Sequence, residues 1–264
     1  MTIDHRATTA LVTGASSGLG EEFARQLAAR GADLVLVARR ADRLEALATE
    51  LRDAHGRTIT VVPADLAAPG AAAALASTLS EQGISVHSLI NNAGFATRAR
   101  FEDEDAARIH EEVSLNVTAL VDLTRAFYPQ LLQHGRGVLV NVASTAAYQP
   151  VPLMAVYGAT KAFVLSFTEA LWFEARDSGL RVLALSPGAT RTEFFDVAGE
   201  DARVGEMQTP SQVVELALTA VDRKNPPPSI VSGGRNRATV VASKLLTRRG
   251  LVRLTGSITG RQPV

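Results

Sequence analysis

Near its start, the 264-residue sequence contains Leu11-Val12-Thr13-Gly14-Ala15-Ser16-Ser17-Gly18-Leu19-Gly20. It places three glycines, spaced Gly-x-x-x-Gly-x-Gly, between an apolar run that predicts a strand and the amphipathic pattern of a helix. Glycines there allow a tight turn and let the backbone approach a pyrophosphate, while the helix N-terminus offers free N–H groups. The stretch therefore predicts a dinucleotide-binding unit, with an ordinary glycine-rich turn as the alternative.

Apolar runs and helical stripes alternate along the rest of the chain. Strands are predicted at Ala10–Thr13, Leu34–Val37, Thr58–Val62, Val86–Asn91, Val138–Val142, Arg181–Ser186 and Ser229–Val231. Helices are predicted at Glu21–Arg30, after an N-cap at Asp42, at Ala71–Leu79, from Asp105 to about Gln133 with a kink near Pro129, at Val156–Asp177 and at Ser211–Arg223. This alternation predicts an α/β fold: a single doubly wound Rossmann-type domain over residues 1–264, with a mostly parallel sheet of about seven strands and helices on both faces. A loop over residues 190–209, without clear periodicity, is expected to cover the substrate.

Composition excludes several classes of protein. The chain has no cysteine, which removes a disulfide framework, a cysteine nucleophile and a cysteine-based zinc site. Its formal net charge is zero, so the molecule as a whole is not a binder of nucleic acid. The five histidines are scattered without ligand spacing, and we expect no metal. No apolar run is long enough to cross a membrane, so we expect a cytoplasmic protein without stable membrane insertion.

Charge is unevenly placed along the chain. Nine basic residues and no acidic residue lie between Arg223 and the C-terminus. The rest of the chain carries the other 18 of the 27 basic groups and all 27 acidic groups, a net charge of −9. The segment 235–264 could lie on an anionic membrane as a basic amphipathic helix that includes Val240, Val241, Leu245 and Leu246. We favour the alternative that it neutralises the acidic body, which is the nearest partner.

The end of the second predicted strand bears on the choice of cofactor. An NAD site usually has an acidic residue there to bind the ribose 2′-hydroxyl, but this chain has Val37-Ala38-Arg39-Arg40. The fork of the Arg39 guanidinium suits the 2′-phosphate of NADP, and Ser16 could add a hydroxyl contact. The alternative is that the two arginines simply end a strand.

Tyr157 and Lys161 are four residues apart in a helical pattern, so they share a face. An ammonium beside a phenol lowers the pKa of the phenol, which can then exchange a proton with an alcohol or ketone. Ser144 lies just past the fifth strand, at the edge of the sheet where ligands bind in such folds, and is placed to hydrogen-bond a carbonyl.

These motifs occur together and in order, and on them the chain resembles the short-chain dehydrogenase/reductase family. The resemblance runs from about Ala7 to Ser232. Besides the glycine stretch and the Ser144, Tyr157 and Lys161 set, it rests on Asp65, Asn91-Asn92-Ala93-Gly94, Asn116 and Pro187-Gly188 with Thr190. The glycine stretch together with Val37-Ala38-Arg39-Arg40 is similar to NADP-preferring members.

The resemblance implies a role for each of these residues. Tyr157 would be the general acid in ketone reduction and the general base in alcohol oxidation, and Lys161 would lower its pKa and bind the nicotinamide ribose. Ser144 would polarise the substrate carbonyl, and Asn116 would position a water that links Lys161 to solvent. The cofactor contacts implied are Gly14, Ser16, Ser17, Gly18, Leu19, Gly20, Arg39, Asp65, Leu66, Asn92, Ala93, Gly94, Tyr157, Lys161, Pro187, Gly188 and Thr190.

We therefore expect an NADP(H)-dependent oxidoreductase that interconverts a ketone or aldehyde and the corresponding alcohol. A non-catalytic NADP-binding sensor is the alternative, although it would not need a tuned phenol. A sugar-nucleotide epimerase of the related, longer group is a third hypothesis. It is disfavoured because only about 75 residues follow Gly188, which is little for a substrate domain.

Apolar residues in the loop 190–209 and in the segment 151–154 suggest an apolar substrate. The basic C-terminal segment allows the substrate to carry an anionic group such as a phosphate. The apolar residues are Val151, Leu153, Met154, Phe194 and Phe195. Phe194 and Phe195 could form a lid over the substrate, or pack on the domain instead. We also expect a homodimer or homotetramer built on the helix from Asp105 and the helix that carries Lys161. That second helix has more apolar surface than one face can bury, in Phe163, Phe167, Trp172 and Phe173.

Overall fold

Seven segments of the chain form one parallel sheet. The computed structural model describes residues 3–194, 199 and 207–259. The strands are β1 (Thr9–Thr13), β2 (Asp33–Ala38), β3 (Ile59–Pro63), β4 (Ser88–Asn91), β5 (Val138–Val142), β6 (Arg181–Ser186) and β7 (Ser229–Val231). Their spatial order is β3-β2-β1-β4-β5-β6-β7, and every neighbouring pair is parallel. The predicted doubly wound sheet is confirmed, and the order reverses between β1 and β4, where such folds open a crevice for ligands.

Helices connect these strands on both faces of the sheet. They are α1 (Gly18–Ala29), α2 (Ala41–His55), α3 (Ala71–Glu81), α4 (Ala106–Val113), α5 (Leu120–His134), α6 (Ala155–Glu174), α7 (Pro210–Val221), α8 (Gly234–Ser243) and α9 (Arg248–Thr259). Helix α4 begins at its N-cap Asp105, whose carboxylate accepts the N–H groups of Ala107 and Arg108. Helix α7 begins with a capping box formed by Thr209 and Gln212.

Two apolar cores lie on opposite faces of the sheet. Successive side chains of a strand point to opposite faces, so Leu34 and Leu36 pack in the core with α1, α2 and α7. Val35 and Val37 pack in the other core, with α3, α5 and α6. This two-sided burial explains why β2 reads as one continuous apolar run in the sequence.

The long helix predicted from Asp105 to about Gln133 is interrupted. A π-helical turn, Ser114–Ala119, joins α4 to α5, while Pro129 lies within α5. Such turns insert an extra residue and often occur at functional sites. Here the π turn contains Asn116.

The basic C-terminal segment forms two helices, which corrects the single helix expected around Val240 to Arg249. Helix α8 ends before Lys244, and Leu245 is 85% exposed in the connection to α9. Within the described part of the chain, no ion pair joins the acidic body to Arg237, Lys244, Arg248, Arg249 or Arg253. Direct pairing of this segment with the body is therefore absent at these five residues.

Among the described residues, we find no helix with the length and apolar character needed to cross a bilayer.

Candidate active site

The glycine loop is closed against the segment that follows β4. Gly14 adopts a φ of +65°, and a Cβ there would lie 2.8 Å from Nδ2 of Asn92. A Cβ on Gly20 would collide with the carbonyl oxygen of Gly14. The Thr13 hydroxyl accepts the N–H groups of Asn92 at 2.9 Å and Ala93 at 3.0 Å. The two predicted cofactor segments are thus fixed to each other by contacts that leave no room for side chains.

A cavity of about 1250 Å³ opens at the carboxyl ends of the strands. It brings together most of the residues implied by the family resemblance: Gly14, Ser16, Ser17, Gly18, Leu19, Arg39, Asp65, Leu66, Asn92, Ala93, Gly94, Ser144, Tyr157, Lys161, Pro187, Gly188 and Thr190. Two predicted residues, Gly20 and Asn116, lie behind its wall rather than in it. Gly20 packs against Gly14, and the role expected of Asn116, that of positioning a water beside Lys161, stays a prediction.

Two arginines stand at the glycine-loop end of the cavity, and only Arg39 was expected to have a role. The Arg40 guanidinium donates to the hydroxyls of Ser16 at 3.1 Å and Ser17 at 2.9 Å. It also pairs with Glu193 at 2.8 Å. Arg39 is more exposed and pairs with Glu111 at 3.4 Å. Arg40 is therefore the arginine already held against the loop, and the sequence analysis missed it although it stands beside Arg39.

Helix α6 presents Tyr157 and Lys161 to the interior of the cavity. The Lys161 ammonium donates to the carbonyl of Val142, at the end of β5, with an N–O distance of 2.8 Å. Its nitrogen lies 5.7 Å from the centre of the Tyr157 ring. Ser144 forms the N-cap of a short 3₁₀ turn, Thr145–Tyr148, and its hydroxyl accepts the N–H of Ala146 at 3.1 Å. The structure thus brings the three residues together, as the sequence predicts.

Burial governs the proton affinities of this pair. It raises the pKa of Tyr157 to about 12, against the opposing effect of a hydrogen bond with Ser144. It lowers the pKa of Lys161 to about 8. Desolvation of the phenolate is the largest effect on Tyr157, so its net pKa is raised, and the expected lowering by Lys161 stays a prediction.

Asn116 is fixed by three hydrogen bonds inside the π turn. Its amide nitrogen donates to the carbonyl of Phe95 at 2.8 Å and to the hydroxyl of Thr160 at 3.2 Å. Its amide oxygen accepts the N–H of Phe95 at 3.1 Å. A Cβ on Gly94 would lie 2.8 Å from that oxygen and 3.6 Å from the Lys161 nitrogen, so the glycine lets both groups approach.

Glu112 is a buried acid near the site that the sequence analysis missed. Its side chain is fully buried, and Oε2 accepts the N–H of Thr97 at 3.0 Å and its hydroxyl at 2.8 Å. Burial raises the pKa of Glu112, and the charge of Lys161 opposes this rise. The sequence did offer a signal for Glu112: it lies four residues before Asn116, so both side chains are expected on the same helix face.

The other end of the cavity is apolar. Val151, Met154 and Phe194 line it, and the Phe194 ring lies 5.5 Å from that of Tyr157. Leu153 does not line it, which corrects the expectation for that residue. Phe195 lies outside the described residues, as does most of the predicted substrate loop. Helix α9, unassigned by the sequence analysis, completes the wall with Leu251, Leu254, Thr255, Ile258 and Thr259.

Comparison with known proteins agrees with this geometry. A model of the short chain dehydrogenase family matches residues 8–203. Sulfoacetaldehyde reductase of Chromohalobacter salexigens is 38% identical over 213 residues, which cover 80% of this chain and 81% of that protein. A short-chain dehydrogenase from Sphingobium yanoikuyae, solved in complex with NADPH, is 39% identical with a TM-score of 0.80, covering 93% of this chain and 95% of that one. The bulky-bulky ketone specific alcohol dehydrogenase from Comamonas testosteroni is 34% identical with a TM-score of 0.76, covering 91% and 93%. With the sheet order, the glycine loop and the Ser144, Tyr157 and Lys161 set in place, the chain belongs to the short-chain dehydrogenase/reductase family of oxidoreductases.

Proposed function

We propose that this protein uses NADP(H) to interconvert a ketone or aldehyde and the corresponding alcohol, with an apolar substrate and with Tyr157 as general acid and base. Membership of the family supports oxidoreduction at a C=O or CH–OH group. The observation that carries the proposal is a buried phenol, Tyr157, in one cavity with Ser144 and Lys161.

The residues of the cavity fit NADP. Its volume of about 1250 Å³ exceeds the roughly 300–1000 Å³ of an ordinary small-molecule site, which leaves room for a cofactor and a substrate. Arg39 and Arg40 supply two guanidinium groups at the glycine-loop end, and such groups match phosphate oxygens. The related structure from Sphingobium yanoikuyae holds NADPH, which supports the same choice here. When bound, the cofactor supplies the hydride.

In reduction, the protein residues handle the carbonyl oxygen and the proton. Ser144 donates a hydrogen bond to that oxygen, and Tyr157 transfers its phenolic proton to it as the carbonyl carbon gains the hydride. A pKa of about 12 keeps Tyr157 protonated at neutral pH, so the acid is present without prior proton uptake. In oxidation the same phenol must first lose its proton before it can accept one from the alcohol.

Lys161 and Asn116 influence Tyr157 after it has transferred its proton to the substrate. The Lys161 ammonium lies 5.7 Å from the centre of the Tyr157 ring, and its charge stabilises the phenolate until a proton from solvent restores the phenol. Asn116 holds the Phe95 backbone and Thr160, and so fixes the wall against which Lys161 lies. In this scheme Ser144 and Tyr157 contact the substrate, and Asn116 acts through its neighbours.

The apolar end of the cavity supports a bulky hydrocarbon group beside the carbonyl. Met154, Phe194 and Leu254 would bury such a group at about 25 cal/mol for each Å² removed from water. A small charged aldehyde would leave these side chains uncovered. The name of the Comamonas testosteroni relative, a bulky-bulky ketone specific enzyme, points the same way.

The test is NADPH consumption by the purified protein with a panel of carbonyl compounds, from bulky apolar ketones to sulfoacetaldehyde. We expect the highest kcat/KM for an apolar ketone and little turnover of that ketone by Tyr157→Phe. A preference for the small anionic aldehyde would contradict the apolar assignment. Absence of turnover with NADPH still bound would favour a cofactor-binding protein without catalysis.

We also propose that the protein is a homodimer or homotetramer. Phe163 and Phe173 on α6 are 43% and 59% exposed, so they offer apolar area to a second copy. Phe167 packs within the chain, and the Trp172 indole donates to the carbonyl of Pro226 at 3.1 Å, so these two rings serve the protomer itself.

A further inference from the structure

We propose that Glu112 is a positioning residue for this reaction, whose buried carboxylate acts through Lys161 by holding the ammonium in its charged form. The role in turnover rests on the proposed function, whereas the electrostatic link between the two groups is measured without turnover. In this proposal Glu112 itself neither gives nor takes a proton.

The placement of Glu112 follows from the helix that carries it. Glu112 stands at the end of α4, four residues before Asn116, and both side chains turn to the same short segment of chain. Asn116 binds the backbone of Phe95 and Glu112 binds the backbone and hydroxyl of Thr97. One helix face therefore fixes both ends of the segment 95–97, next to Gly94 and the Lys161 nitrogen.

After these contacts, one of the two carboxylate oxygens of Glu112 has no hydrogen-bond partner among the described residues. Oε2 takes both hydrogen bonds from Thr97, whereas Oε1 is buried and has no hydrogen-bond partner among the described residues. A glutamine could accept the same two bonds without placing a charge in the interior. Burying a carboxylate with a free oxygen is costly unless an opposite charge compensates for it. The contacts with Thr97 alone do not account for an acid at this position.

The cation that we propose as the compensating charge lies on α6. Lys161 is the cation that acts on Glu112, while Glu104, ahead of α4, is a second acid that opposes it. Tyr157, also on α6, experiences the charge of Glu112 as well. On α4 itself, Arg108 lies over the Phe95 ring and is held by Glu111. Arg98, directly after Thr97, is half-buried and has a buried guanidinium nitrogen without a hydrogen-bond partner among the described residues. Among these groups Lys161 is the fully buried cation.

The effect of the carboxylate on both catalytic groups has the same direction. Its negative charge raises the pKa of Lys161, against the lowering that burial causes. It also raises the pKa of Tyr157, because it disfavours the phenolate. Glu112 thus helps to keep both protons in place near neutral pH, which is the state that carbonyl reduction requires.

The chain allows a direct test, because it contains only three lysines: Lys161, Lys224 and Lys244. Each side-chain Cε resonance of ¹³C-lysine-labelled full-length protein is followed by NMR from pH 6 to pH 11, and Lys161→Arg identifies the signal of Lys161. In Glu112→Gln we expect the pKa of Lys161 to fall by about 0.5–1.5, the size expected for the loss of a unit charge several Å away. Thr97→Val removes a hydroxyl contact of Glu112 but leaves the charge, and should leave the pKa of Lys161 in place.

Turnover provides the second readout. For a ketone that the wild type reduces, the alkaline limb of log kcat/KM should move to lower pH in Glu112→Gln by the same amount, with a threefold to thirtyfold loss near pH 9. Should Glu112→Gln fail to fold, Glu112→Asp, with a retracted carboxylate, should give a smaller shift in the same direction.

An unchanged pKa of Lys161 in every folded Glu112 variant would overturn the proposal and leave Glu112 as a clamp on Thr97. A shifted pKa of Lys161 with an unmoved pH profile would overturn its role in the reaction. If the wild type reduces no carbonyl compound, the proposed function fails, and the NMR titration still decides whether Glu112 holds the charge of Lys161.

Discussion

Replacing Lys161 with methionine should stabilise the protein at neutral pH while removing its activity. Burial lowers the pKa of Lys161 from its ordinary 10.5 to about 8. Each pKa unit corresponds to about 1.4 kcal/mol, so the charged ammonium costs the folded state about 3 kcal/mol at pH 7. Loss of the hydrogen bond to the Val142 carbonyl reduces the stabilisation by about 1 kcal/mol. We expect a net gain of about 1–2 kcal/mol in the free energy of unfolding.

The gain should depend on pH in a direction that identifies its cause. Below pH 8 Lys161 is charged in both the folded and unfolded states, and burial of the charged ammonium destabilises the wild type by its full amount. Between pH 8 and 10.5 the unfolded chain keeps the proton that the folded chain has lost, so wild-type stability rises with pH. Above 10.5 both states are neutral and the advantage of methionine is gone.

The assay is urea unfolding at pH 7 and again near pH 10, followed by circular dichroism. The control is Lys224→Met, the same change at an exposed site, which should alter stability by less than about 0.5 kcal/mol at either pH. A Lys161→Met variant that is less stable than the wild type at pH 7, or whose advantage does not shrink with pH, would refute the reasoning. Because Glu112 then loses its opposite charge, Glu112→Gln combined with Lys161→Met should be more stable than Lys161→Met alone.

Four further outcomes follow from the site and the surface. Arg39→Ala should weaken NADPH binding by about 1–3 kcal/mol in calorimetry and leave NADH binding nearly unchanged, and equal wild-type affinities would count against a phosphate contact. Tyr157→Phe should bind NADPH normally but lose about 10²–10⁴ in kcat, and near-normal turnover would remove Tyr157 from its role. Phe163→Asp with Phe173→Asp should lower the mass seen by light scattering, whereas a wild-type monomer at micromolar concentration would dispose of the oligomer. Flotation with anionic liposomes should show binding at low salt that weakens at physiological salt, where the Debye length is about 8 Å, and firm binding there would mark segment 235–264 as a membrane contact.

The sheet could be predicted closely because most of its strands are apolar runs buried on both faces. Three of the seven predicted strands, including Val138–Val142 and Arg181–Ser186, have unchanged bounds in the structure. The others differ by one or two residues at their ends. The glycine loop could be predicted for a related reason, since the close approach of Asn92 excludes a side chain at Gly14. Both signals depend on local sterics and burial, which the order of residues records directly.

The parts that escaped prediction depend on contacts between distant segments. The π turn has no local signal, and its Asn116 is held by Phe95 and Thr160. Helices α8 and α9 contain no acidic residue, and α8 has no side-chain N-cap, so neither an acidic first turn nor a cap at α8 marks them in the sequence. The net proton affinity of Tyr157 could not be predicted from spacing, because spacing gives the nearest charge but not the depth of burial.

Glu111 and Glu112, which are neighbours on α4, face the two different ends of the cavity. Glu111 turns outward and pairs with Arg39, at the end of the cavity that fits the cofactor phosphate. Glu112 turns inward, and in our proposal it acts on Lys161, at the end where we place the proton transfer. Successive residues of a helix are rotated by about 100°, so the same acid can serve opposite ends of one cavity from adjacent positions. If both proposals hold, we expect a shift in the position of α4 to alter cofactor preference and the protonation of Lys161 together, although neither Glu111 nor Glu112 lines the cavity.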